Sequence, residues 1–264
     1  MSNAEPVYLQ AGNLKLEIYA DGKAAGTALA NAAAEAMRRL AKDAGDFGII
    51  FATGVSQLDV LNVLTSTPGL PWDRTNGFHL DEYLGLPADH PASFRRYMRQ
   101  HLTQRVQIRR FFEIDGTAAD PALECMRYGN ELRNGNPQLC FLGIGANGHL
   151  AFNDPNNADF QDPQDVKIVE LDPISRRQQL DEGWFHSMEE VPERALTVTL
   201  PAILRVHRLM VAAPGRRKAA IVRRMIEDPI STACPATILR THPNVTVFLD
   251  QESASELSDP SLAS

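Results

Sequence analysis

Short apolar runs recur along this chain, each leading into a turn and then into residues spaced for one face of a helix. The runs lie at 47–52 (FGIIFA), 77–80, 109–114, 139–142 (LCFL), 166–171, 195–200, 208–213 and 245–249, and an alternating strand pattern precedes them at 14–19. Helical spacing appears at 23–41, where Leu29, Ala33, Ala36, Met37 and Leu40 share a face, and again at 93–106, 121–133, 174–181 and 216–227. Strands this short and this uniformly apolar are buried on both faces, and strands that alternate with helices become parallel neighbours joined by crossovers. Pro192, Pro201, Pro214, Pro229 and Pro243 fall at the joints, where a missing amide does least damage. The alternation therefore predicts an α/β fold with a mainly parallel, Rossmann-like sheet and helices on both faces. No low-complexity linker or internal repeat divides the 264 residues, so they read as one domain with flexible ends at 1–8 and 253–264. Residues 1–4 read equally as an appended tag or as a native polar start.

Composition narrows the function. A formal net charge of -7 argues against nucleic acid as the main partner. A local cationic pocket can still hold a small anion. No apolar run approaches the roughly 18 residues of a membrane span, and the first residues carry no secretion-signal pattern. Cys125, Cys140 and Cys234 are an odd number without paired spacing, which points to free thiols in a reducing cytoplasm. His207 and His242 are isolated, and neither HxxxH nor CxxC occurs, so no metal is expected.

In a parallel sheet, ligands sit beyond the carboxyl ends of the strands. Three polar stretches fall there. Thr53-Gly54-Val55-Ser56 follows a buried strand and opens a helix, so free amides and two hydroxyls make an anion site; an ordinary turn with Ser56 as helix cap reads as well. HLDEY at 79–83 sets Asp81 and Glu82 among Phe78, Leu80, Tyr83 and Leu84. A carboxylate in such company is desolvated and suited to carry a proton, although a solvated acid pair is the commoner outcome. The third stretch, GIGANGHLAFNDP at 143–155, interleaves Gly143, Gly145 and Gly148 with Asn147 and His149 and closes on Asp154. Its glycines match GxGxxG, but it lies mid-chain and leads into no long helix, which disfavours a dinucleotide. An imidazole with a carboxylate five residues on forms an oriented acid–base pair. Farther along, Lys218 sits near a helix start and can reach back to an anion, while Arg216 and Arg217 read as a solvated face. No GxSxG elbow is present, and Cys140 lies within a buried strand, so neither a serine nor a cysteine nucleophile is expected.

LGIGANGHLAFNDP (142–155), FHLDEYLGLP (78–87) and ISTACPATIL (230–239) closely resemble the glucosamine-6-phosphate deaminases (isomerases), and the likeness extends from about residue 29 to 250. The resemblance implies a three-layer α/β sandwich, shared with 6-phosphogluconolactonases. It also implies conversion of an amino sugar phosphate and water to fructose 6-phosphate and ammonia, without a cofactor. On the matching positions, Asp81 corresponds to the base that moves a proton between C2 and C1, and His149 to the residue that opens the sugar ring. Asn147 and Asp154 correspond to the pair that orients that histidine. Thr53, Gly54 and Ser56 correspond to the phosphate loop, with Gly145, Gly148 and Lys218 as further substrate or phosphate contacts. Two departures stand out. Asp154 replaces the family's usual glutamate and is one methylene shorter, which puts its reach to His149 in question. Gly183 in DEGWF stands where the family carries a phosphate-binding arginine, so either another arginine substitutes or the substrate differs. Alternatives are a non-catalytic sugar-phosphate binder and a sugar lactonase; the lactonases favour DER where this chain has DEY at Asp81 to Tyr83. A homo-oligomer is compatible with all three readings.

Overall fold

The computed structural model describes residues 5–43 and 45–258; residues 1–4 and 259–264, the outer parts of the two expected flexible ends, lie outside the described residues. Its main sheet has eight strands. β1 (Val7–Ala11) pairs antiparallel with β2 (Leu14–Tyr19), and the remaining neighbours are parallel: β11 (Val245–Asp250), β10 (Arg208–Ala212), β7 (Pro137–Gly143), β3 (Phe47–Phe51), β4 (Thr75–His79) and the two-residue β6 (Arg110–Phe111). All five residues of β3 and all six of β11 are buried, as apolar runs covered on both faces require. Helix α1 (Gly22–Asp43) packs on α2 (Leu58–Ser66) and against β2, β10 and β11. Its buried face includes Leu29, Ala33, Ala36 and Met37, read from the spacing, but Leu40 is only partly buried. Asp120 and Pro121 start α4 (Pro121–Gly135); the Asp120 carboxylate accepts from the amides of Ala122 and Leu123.

The sheet is mainly parallel, as expected, but two of the predicted strands leave it. β8 (Val166–Glu170) and β9 (Arg194–Val198) pair antiparallel with each other, and β5 (Asp81–Tyr83) adds to β9, making a separate three-stranded sheet. Sequence periodicity cannot distinguish a strand of one sheet from a strand of another, because pairing is non-local. The hand-over occurs at Leu80: β4 ends in the parallel sheet at His79, and the next residue but one begins β5. The small sheet has its own apolar cluster, centred on Tyr83, whose ring lies 5.0 Å from Phe94, 5.4 Å from Phe152 and 5.5 Å from Phe185 between centroids. β1 and the buried Ser253, whose hydroxyl accepts from the Asp250 amide, extend ordered structure into residues expected to be flexible.

The order of strands fixes where a ligand can enter. From β3 the chain moves outward to β4 and β6, then returns to the other side of β3 as β7 and proceeds outward through β10 to β11. The carboxyl ends of β3 and β7 therefore diverge, and a crevice opens above them.

Candidate active site

That crevice is a cavity of about 750 Å³. The β3 loop lines it with Thr53, Gly54, Val55 and Ser56; the β7 turn adds Gly143, Gly145 and His149; and the β4–β5 joint adds Leu80 and Asp81. Gly215 to Lys218 enter after β10, and Gly22 and Lys23 after β2. One wall is α5 (Pro173–Asp181), through Gln178, Gln179, Asp181 and the following Glu182. Two polar clusters some seventy residues apart thus meet because parallel strands end on one side of the sheet.

His149 is held from behind. Its Nδ1 lies 2.8 Å from Asn147 Oδ1, 2.9 Å from Asp154 Oδ1 and 2.8 Å from Ser175 Oγ. Asn147 Nδ2 donates to Asp154 Oδ1 at 2.9 Å, and the Ser175 hydroxyl donates to the same oxygen. Asp154 therefore reaches His149 directly, although one methylene shorter than the residue usual in the resembled family. The turn at Leu150–Asn153 and a paired bridge between those residues bring its backbone close enough. Burial works against the Asp154 charge. Hydrogen bonds from His149, Ser175 and Asn147, and the attraction of the imidazole, outweigh it and hold the carboxyl below its ordinary value. Among the described residues nothing bonds to Nε2, the ring nitrogen left for the cavity that His149 lines. The ring lies against Gly145, whose missing side chain makes room for it: a Cβ there would fall 2.1 Å from His149 Cε1.

Asp81 and Glu82 separate because successive side chains of a strand point to opposite sides. Asp81 lines the cavity, and among the described residues no group donates to its carboxylate. Burial first, and the Glu82 charge second, push its pKa well above the ordinary carboxylate value. Glu82 is no solvated charge. It is fully buried and accepts from the Ser93 hydroxyl at 2.8 Å, from the amides of Tyr83, Phe94 and Arg95, and from Arg95 Nε at 3.3 Å. It thereby ties β5 to the start of α3 (Phe94–Met98). His79 is also structural: Nε2 accepts from the Ile114 amide at 2.8 Å, and burial drives its pKa down to about 3.

The β3 loop has the form of an anion site. Gly54 has φ +99, which any side chain would strain, and it precedes a 3-10 turn and α2 with no side chain capping either. Ser56 is thus not the helix cap that its position allowed. Tyr97 donates to the Gly54 carbonyl at 2.8 Å, and Gln57 Nε2 to the Leu142 carbonyl at 3.2 Å, fixing the loop to α3 and β7. Lys218 Nζ donates to the Ile144 carbonyl at 2.6 Å; burial lowers its pKa, and the nearby Glu182 charge acts the other way. Arg216 and Arg217, read as a solvated face, are exposed but line the cavity. Arg216 donates to Ser255 Oγ, whereas among the described residues the Arg217 guanidinium has no hydrogen-bond or ion-pair partner. Arg176 is taken up elsewhere, donating to the carbonyls of Met188 and Val191. Gly148 stands apart from the expected contacts: it does not line the cavity, and at φ +87 a Cβ there would lie 2.7 Å from Cys234 Sγ. It permits the turn to pack against the 230–239 segment. Sequence reasoning missed Ser175, Gln178 and the position of Arg217. A serine one turn into a helix has no local signature of a ligand to a histidine 26 residues earlier.

Residues 20–248 match the family model of glucosamine-6-phosphate isomerases/6-phosphogluconolactonase. The chain belongs to this family. Among its curated relatives, the glucosamine-6-phosphate deaminase of Exiguobacterium sibiricum (strain DSM 17290) is 39% identical over 181 residues, covering 69% of this chain and 70% of the relative. That of Geobacillus sp. (strain WCH70) is 35% identical over 224 residues, covering 83% and 87%. A solved monomeric glucosamine-6-phosphate deaminase superposes with a TM-score of 0.83 at 30% identity, over 91% of this chain and 99% of that one. This member of the family brings its histidine turn and the acid at the β4–β5 joint into one cavity.

Proposed function

We propose that this protein is an enzyme that isomerises and deaminates an amino sugar phosphate, glucosamine 6-phosphate in the first instance, to fructose 6-phosphate and ammonia. The observation that carries the reading is the meeting, in one cavity, of two proton carriers that among the described residues have no partner at the working atom: Nε2 of His149 and the carboxylate of Asp81. His149 Nε2 takes the proton of the C1 hydroxyl, the C1–ring oxygen bond opens, and the imidazolium returns that proton to the ring oxygen. Asp81 then removes the proton from C2 and delivers it to C1, moving the carbonyl-level carbon to C2. The resulting imine takes up water and releases ammonia. Each step needs positioned acids and bases only. The raised basicity of a buried carboxylate suits Asp81 to a carbon acid. Thr53, Gly54, Ser56 and Lys218 form the phosphate end, and Arg217, which has no partner among the described residues, supplies the second cation that Gly183 does not. The three buried, free cysteines fit a reducing compartment such as the cytoplasm.

A non-catalytic binder is the reading that Asp154 and Gly183 favour; the 2.9 Å contact of Asp154 with His149 weighs against the first of these. The test is ammonia release from glucosamine 6-phosphate beside glucosamine and other amino sugar phosphates, with Asp81→Asn as control. The expected result is turnover of the phosphorylated sugar, lowered by a factor of about 10² to 10⁴ in the variant. Tight binding of the sugar phosphate with no ammonia from any substrate refutes the enzyme reading.

A further inference from the structure

Ser175 belongs to none of the polar stretches, yet it is fully buried and touches both members of the His149–Asp154 pair. Three oxygens converge on His149 Nδ1: those of Asn147, Asp154 and Ser175, at 2.8, 2.9 and 2.8 Å. Asn147 turns its amide hydrogens to Asp154, so its carbonyl oxygen faces the ring. Asp154 is ionised and can only accept. The serine hydroxyl has a single proton to place. Given to Nδ1, it would leave a nitrogen lone pair facing a carboxylate oxygen and an amide oxygen at hydrogen-bond distance, with no proton between. Given to Asp154, it turns an oxygen lone pair toward the ring, and every group around Nδ1 becomes an acceptor for an Nδ1–H.

We propose that Ser175 is a positioning residue that clamps the Asp154 carboxylate and the Nδ1–H of His149 together, holding the ring so that the lone pair on Nε2 can take a proton from the substrate. The assignment rests on the reading of His149 as the ring-opening group. Ser175 also seats the cavity wall. It lies in the first turn of α5, whose capping residue Asp172 donates its amide to Asp154 Oδ2 at 3.3 Å. One turn later, Gln178 Oε1 accepts from the Ala146 amide at 3.0 Å. The helix that walls the cavity and the ring that works in it are therefore referred to the same carboxylate.

The experiment compares full-length wild type, Ser175→Ala and Ser175→Thr for kcat and KM of ammonia release from glucosamine 6-phosphate. Alongside, ¹⁵N NMR reads the His149 ring nitrogens, identified by their loss in His149→Gln. The wild-type ring should show a protonated Nδ1 and an unprotonated Nε2. Ser175→Ala should lose about ten- to a hundredfold in kcat, the value of one hydrogen bond to a charged group, with KM nearly unchanged. Its Nδ1–H signal should persist, because Asp154 and Asn147 still accept, but it should shift and exchange faster with solvent, and Ser175→Thr should restore both readouts. Unchanged kcat and an unmoved Nδ1–H signal in Ser175→Ala overturn the proposal. So does a loss of kcat with the Nδ1–H signal unmoved and no rescue by threonine, which marks a merely structural role. If the alanine variant does not fold, the wild-type spectrum decides, and an Nε2–H tautomer there refutes the assignment. Absence of ammonia release by the wild type would instead defeat the functional reading, while the ring spectrum still judges Ser175.

Discussion

Replacing Gly145 with alanine should disable the site without touching a single polar group. The backbone tolerates alanine, since Gly145 is not among the positive-φ residues. The obstacle is His149. The added Cβ would fall 2.1 Å from Cε1, 2.2 Å from Nε2 and 2.3 Å from Nδ1, where ordinary contact begins at 3.4 Å. The ring must withdraw by the difference of 3.4 and 2.1, about 1.3 Å. It cannot do so and keep Nδ1 within 2.9 Å of all three oxygens behind it. Misplacing a catalytic group by about 1 Å costs on the order of a hundredfold, which sets the expected fall in kcat. The lost hydrogen bond to Asp154 adds a destabilisation of about 1.5–3 kcal/mol. Steady-state ammonia release and thermal melting measure the two effects. Gly183→Ala separates them: a Cβ there meets nothing within 4 Å, but φ is +80, so the strain costs about 1–2 kcal/mol while kcat should hold. Wild-type kcat in Gly145→Ala would refute the placement of His149 as the working base.

Other outcomes follow from the same geometry. In the proposed reaction Asp81 must be ionised to accept the C2 proton, and burial raises its pKa. Activity should therefore fall with decreasing pH at values above the ordinary carboxylate range, and a limb near pH 4 in the pH profile of kcat/KM would contradict the burial of Asp81. Asp154 has the opposite shift. Its contribution to stability should be full above about pH 4 and disappear as pH falls through its lowered folded value; acid denaturation of Asp154→Asn should lack that component, and an unchanged acid transition would count against it. Glu82→Ala leaves Arg95 with Asp115 but without its fully buried partner, and removes the acceptor for three amides. Chemical denaturation should report a loss of about 3–5 kcal/mol, and less than 1 kcal/mol would mean the network is dispensable. Lys218→Ala and Arg217→Ala should each raise KM for the phosphorylated sugar while leaving slow turnover of the unphosphorylated sugar unaffected; equal losses on both sugars would place these cations away from the phosphate.

The sequence by itself determined the parallel sheet, because short runs such as FGIIF and LCFL are apolar throughout and can only be strands covered on both faces. It also determined which residue types end those strands, and so Asp81, His149 and the 53–56 loop, which line one cavity, stand out as polar stretches in the sequence alone. What it could not convey was whatever depends on two distant segments meeting. That β8 and β9 pair with β5 rather than joining the main sheet is a matter of non-local pairing, invisible to periodicity. The division of Asp81 and Glu82 into a cavity acid and a buried anchor needed the Ser93–Arg95 turn to be brought alongside β5. The reach of Asp154 was decided by the turn at Leu150–Asn153, not by side-chain length. Ser175 became a partner of His149 only because α5 folds back over the histidine turn. Local sequence sets propensity and burial, whereas hydrogen bonds across the site are fixed by packing, and packing is a property of the whole chain.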